Sequence, residues 1–108
     1  MTIKEFADKL NLTYINEGDL DIEVTGCYCG DLLSWVISKA KTGDAWLSVM
    51  GNVNAVAVAV LSDCACLVLT ENSELDDQAK MKAQMSDVNV LQTSLNAYEL
   101  AVKISGII

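Results

Sequence analysis

The chain has 108 residues, 52% of them hydrophobic and 20% charged, with a net charge of −8 carried against seven lysines and no arginine or histidine. That size fits one domain that buries roughly 65% of its unfolded surface, and the apolar content excludes disorder. The acidic balance leaves no basic footprint for nucleic acid. Without histidine the commonest general base and metal ligand is missing, and without arginine there is no bidentate phosphate clamp. These absences argue against an enzyme. No apolar run reaches the ~18 residues that span a membrane. The first ten residues hold acidic groups and no apolar core, so no signal peptide is expected and a cytoplasmic location follows.

Taken in order, Thr2 to Glu5 has the form of a capping box, and Ile3, Phe6 and Leu10 share one helical face up to a stop at Asn11. Residues 12–15 read as a short strand, 16–19 as a turn and 20–24 as an edge strand. A compact segment between Gly26 and Gly30 follows. Residues 31–40 read as a helix with Leu32, Trp35, Val36 and the Lys39 stem inward.

The stretch 45–70 is nearly all apolar, broken by one charge at Asp63. It reads as strand 45–50, a turn at Gly51 and Asn52, a buried helix 53–61, and strand 65–70. The alternation AVAVAV has no polar face, so a strand would gain nothing by it. Alanine at every second position favours helix, and Asn52 or Asn54 before the run and Ser62 after it supply caps. A hairpin turning at Gly51 and Asn52 is the alternative. Next, Ser73 is placed to cap a helix ending near Met85, with a thin stripe of Leu75, Ala79 and Ala83. Residues 88–91 make a further strand. Thr93 or Ser94 caps a last helix with Leu95, Tyr98, Val102 and Ser105 inward, and Ile107 and Ile108 form an apolar tail. The rhythm of strands and helices predicts a single three-layer α/β/α domain over residues 1–108 with a mostly parallel sheet.

Ligands of such sheets gather at the carboxyl ends of the strands. The candidates there are Gly51, Asn52, Asn54, Thr70 and Asn72. Helix-end amides there can hold an anion without arginine, although ordinary turn and cap chemistry accounts for the same residues. Cys27 with Cys29 and Cys64 with Cys66 form two C-x-C pairs. Residues i and i+2 of a strand share a face, so four thiolates could serve zinc or an iron–sulfur cluster. The spacing is not the usual C-x₂₋₄-C of zinc sites, and free cysteine also packs as a small hydrophobe, so no metal or cofactor is assigned. Asp19, Asp21 and Glu23 read as a solvated acidic face, and Met81 and Met85 as packing or contact residues.

The order of segments resembles the DRTGG domain family in a short, stand-alone form. The segments that carry it run from Val24 through Gly26-Cys-Tyr-Cys-Gly30 to Ser34, then Gly43-Asp44, Gly51-Asn-Val-Asn54, Leu67-Val-Leu-Thr70, Asn89-Val-Leu-Gln-Thr93 and Tyr98-Glu-Leu-Ala101. The resemblance implies a regulatory or dimer-forming α/β/α domain like the N-terminal part of HPr kinase/phosphatase. Similar domains occur within some phosphotransacetylases and beside CBS domains in an inorganic pyrophosphatase. It also implies a homodimer, a small-molecule or nucleotide ligand, and a partner among iron–iron hydrogenase or electron-transfer components. Many members carry an acidic–arginine pair after the loop glycine. Asn52 and Val53 stand at those positions, so a phosphate contact through that arginine is not available to this chain.

Overall fold

The computed structural model describes residues 1–108. It contains α1 (Ile3–Leu10), β1 (Thr13–Asn16), β2 (Gly26–Cys29), α2 (Leu33–Lys39), β3 (Asp44–Ser48), α3 (Val53–Leu61), β4 (Cys66–Leu69), α4 (Asp77–Met85), β5 (Val90–Gln92) and α5 (Ala97–Ser105). One five-stranded sheet has the order β1-β5-β4-β3-β2. β2, β3, β4 and β5 run parallel, and β1 pairs antiparallel with β5. The mostly parallel α/β sheet of the sequence reading is therefore the fold observed.

Three successive βαβ crossovers step in one direction across the sheet. Each has the same hand, so α2, α3 and α4 fall on one face. The core there joins Val36, Trp46, Ala55, Val56, Leu67, Leu69, Ala79 and Val90. α1 and α5 cover the other face, where Phe6, Leu47, Cys66, Val68, Leu91, Leu100 and Ile104 meet. β3 and β4 are buried from end to end, as strands covered on both sides must be.

α1 begins on the expected capping box: the Thr2 hydroxyl accepts from Glu5 N and the Glu5 carboxylate accepts from Thr2 N. Asn11 ends it in the left-handed conformation that asparagine tolerates. α3 is a helix as read, with the Asn52 side chain accepting from Ala55 N at 2.9 Å. It is not buried all round, because Val60 and Leu61 are exposed on its outer side.

Several local expectations are corrected. Residues 20–24 form no strand; a single bridge between Thr2 and Glu23 is all the pairing they make. The edge strands are β1 and β2, and β2 lies inside the segment bounded by Gly26 and Gly30. In α2 only Val36 is buried, and Leu32 and Trp35 are more than half exposed, with the Lys39 ammonium 4.1 Å over the Trp35 ring. α4 is capped by Asp76 rather than Ser73, and α5 by Asn96 with Glu99 rather than by Thr93 or Ser94. The buried stripe of α5 is Leu100 and Ile104, and Tyr98 and Val102 face solvent. Ile107 of the tail docks on the core.

Candidate functional site

The four parallel strands end along one edge of the sheet. The crevice expected for a ligand lies between β4 and β5, because their continuing chains leave the sheet toward opposite faces. The chain itself closes that crevice. Glu71 N donates to Leu95 O and Asn72 N to Thr93 O, each at 2.9 Å. Gln92 Nε2 donates to Ser73 O at 2.8 Å, and the Ser73 hydroxyl donates to Thr70 O at 2.8 Å. Glu71 and Asn72 both adopt positive φ, which folds the loop back across the strand ends.

The five nominated residues come from the β3–α3 connection with the first turn of α3 and from the loop after β4, and most of them serve the fold. Gly51 packs against the 74–75 backbone: a Cβ there would overlap the Glu74 carbonyl oxygen. Gly51 O also accepts from Asp76 N at 2.8 Å. The close approach that this glycine permits is therefore made by the protein's own chain. Asn52 is the α3 cap. Thr70 is buried, and its amide donates to Ser48 O at 3.0 Å. Asn54 and Asn72 are exposed and turn toward solvent. None of the five lines any of the four surface clefts.

Sequence reasoning missed a polar link beside this edge. The Ser48 hydroxyl donates to the Asp31 carboxylate and accepts from Met50 N at 3.0 Å. Trp46 Nε1 donates to Gly30 O at 2.8 Å. Together these bonds fasten the β2–α2 turn to β3. A serine in an apolar strand, two residues after a tryptophan, was the available signal.

The cysteines do not gather into one cage. Cys27 and Cys66 share the α5 face but lie on opposite sides of Ala45 in the ladder. Cys64 precedes β4 and packs on the other face. No group of three or more potential ligands stands together. Burial, with Asp44 and Asp63 nearby, raises the Cys64 thiol to about 11, and burial pushes Cys66 up strongly. Cys29 differs. The neighbouring Cys27 thiol holds it down at about 7, against burial and the charge of Asp31. The same pairing, with burial, drives Cys27 far up.

The sequence profile of the DRTGG domain family matches residues 32–107. The chain belongs to the DRTGG domain family. The DRTGG fold likeness reaches beyond the profile. A crystal structure of the CBS and DRTGG domains of the regulatory region of Clostridium perfringens pyrophosphatase, complexed with the activator diadenosine tetraphosphate, aligns over 94% of this chain with a TM-score of 0.73 at 11% identity. The alignment spans 44% of that longer chain. No curated protein matches this sequence significantly. No helix of this DRTGG domain is long and apolar enough to cross a membrane.

Proposed function

We propose that this DRTGG domain is a non-catalytic, cytoplasmic regulatory module that works as a homodimer through the outer face of α3. The observation that carries this reading is the helix itself. α3 contains no charged residue, yet Val60 is 47% and Leu61 72% exposed, with Val53 and Ala57 half-buried on the same stripe. α3 is the central helix of its layer, so a two-fold axis through it brings the same stripe from a second copy into register. Covering the stripe removes apolar surface that a monomer must leave in water. Light scattering after gel filtration is expected to give twice the chain mass. The double substitution Val60→Lys with Leu61→Lys is expected to weaken the dimer at least about a hundredfold, or about 2.8 kcal/mol. A wild-type chain that stays monomeric at high concentration overturns the reading. The resemblance to short hydrogenase-associated members supports an iron–iron hydrogenase or electron-transfer component as the protein partner.

A ligand-sensing role is the second reading. Asn54, in the first turn of α3, and Asn72, in the loop after β4, are exposed, and the α3 amides at Val53 and Asn54 have no acceptor within the helix. The pyrophosphatase regulatory region that shares the fold was crystallised with diadenosine tetraphosphate, which supports a nucleotide as the class to test. The site would then comprise Gly51, Asn52, Asn54, Thr70 and Asn72, with the exposed asparagines making the contacts. Diadenosine tetraphosphate at 100 times its dissociation constant is expected to stabilise the domain by about 2.7 kcal/mol. Asn54→Asp, which sets a negative charge against the phosphates, is expected to abolish the gain. An unchanged melting temperature at millimolar nucleotide removes this reading and leaves the dimer standing.

A further inference from the structure

We propose that Cys29 and Cys27 form a redox-active dithiol that reduces a hydroperoxide and closes to a reversible disulfide. The two residues are i and i+2 on β2, so both side chains project to the α5 face. They stand at a cleft of about 400 Å³ whose other walls include Ala101, Ile104 and Ile108. β2 is one edge of the sheet, paired on one flank only with β3, and Cys29 is exposed there. A small oxidant reaches the exposed thiol from the open flank.

The fold also selects this pair over the other cysteines. Cys27 and Cys66 are two ladder spacings apart, roughly 9.6 Å, beyond the about 7 Å limit for a disulfide. Cys64 packs against the opposite core. Residues i and i+2 of a strand have Cα atoms roughly 6.6 Å apart, near the upper limit for bridging, and their parallel Cβ atoms must close from about that spacing to about 4.5 Å. Closing the bond draws β2 in at Tyr28. An edge strand with glycine at both ends of the dithiol segment, at Gly26 and Gly30, allows that movement more readily than a central strand. A bond made under such tension is easily reopened by an external thiol, which supplies the two electrons.

The division of labour follows from exposure: Cys29 is exposed and Cys27 is half-buried behind it. The neighbouring Cys27 thiol also favours the Cys29 thiolate. Cys29 Sγ attacks one peroxide oxygen: an S–O bond forms, the O–O bond breaks, and the leaving oxygen takes a proton to become water or an alcohol. Cys29 is then a sulfenic acid. Cys27 Sγ attacks Cys29 Sγ: the S–S bond forms, the S–O bond breaks, and hydroxide leaves with the Cys27 proton as water. The two sulfurs lose two electrons and the peroxide gains them.

The test treats the reduced full-length chain with hydrogen peroxide and maps the products by mass spectrometry. The expected product has lost two hydrogens, confined to the peptide carrying Cys27 and Cys29, and dithiothreitol restores it. Cys27→Ser is expected to stop at a sulfenic acid on Cys29 that dimedone captures. Cys64→Ser is expected to change nothing. Iodoacetamide should modify wild-type Cys29 with a midpoint near pH 7, at least about tenfold faster than Cys64 at neutral pH. That measurement needs no variant and so survives any folding defect. A disulfide mapped to Cys64 and Cys66 or between chains, or Cys29 reacting no faster than Cys64, overturns the proposal.

Discussion

Gly51→Ala is expected to destabilise the domain by about 3 kcal/mol or more, the upper range for overpacking a filled site. The added Cβ would overlap the Glu74 carbonyl oxygen and press on Leu75 Cα. Both neighbours are backbone, so no side-chain rotamer can relieve the clash. The 74–76 segment must lift instead, which breaks the bond from Asp76 N to Gly51 O and disturbs the start of α4, where the Asp76 carboxylate accepts from Ala79 N at 2.8 Å. At this size each kcal/mol moves the melting temperature by roughly 4 °C or more, so thermal unfolding should fall by at least about 12 °C. Gly106→Ala is the control. Its nearest contact would be Lys103 O at 3.5 Å and its φ of −83° suits alanine, so no loss is expected. A melting temperature for Gly51→Ala within 3 °C of wild type, roughly under 1 kcal/mol by the same scaling, would show that the two loops are not packed as described.

Gly51 also shows why the candidate site was only partly legible. A glycine after a buried strand allows close backbone approach, and the sequence states that need without saying what approaches. Here the answer lies 23 positions on, at Glu74, a contact with no local signature. The same tertiary contact explains the misplaced α4 cap. Ser73 has the right chemistry, but residues 74–76 must cross Gly51 before the helix starts, and the Ser73 hydroxyl turns back to Thr70 O. Asn96 was legible and overlooked, since Asn-x-x-Glu before an apolar stripe is itself a capping box.

The elements that were read correctly carry strong local signals. α1 has a capping box and one apolar face, and α3 has a cap, a length and alanines that agree with one another. α5 offers two stripes four residues apart, Tyr98 with Val102 and Leu100 with Ile104, and periodicity alone cannot choose between them. Packing on the sheet beside β2 chose the second. β2 is strand because β3 lies beside it. Four residues between glycines hold too little pattern to declare themselves. The outward-facing Trp35 and Leu61 were hidden for a related reason: an apolar residue on a helix reads as core until the layers are known.

Trp46→Ala is expected to cost about 3–5 kcal/mol, a large share of the roughly 5–15 kcal/mol that holds a domain of this size together. Trp46 is fully buried in the middle of β3, between Tyr28 and Leu67 in the ladder, facing the α2–α4 layer. Its removal opens the largest void a single substitution can make in that core. It also frees Gly30 O, which accepts from the indole at 2.8 Å and anchors the end of β2. Trp46→Phe separates the two effects. It keeps most of the ring and deletes the donor, so the loss should be about 1 kcal/mol for the bond, plus the smaller ring's packing deficit. Urea unfolding followed by circular dichroism measures both, with m unchanged if the native state stays compact. Amide exchange across residues 26–29 should quicken in Trp46→Phe more than exchange across 66–69, because the lost bond belongs to the edge strand. Equal quickening in both strands would mean that Trp46 acts as core filler alone, and that β2 is held by its ladder to β3 without the indole.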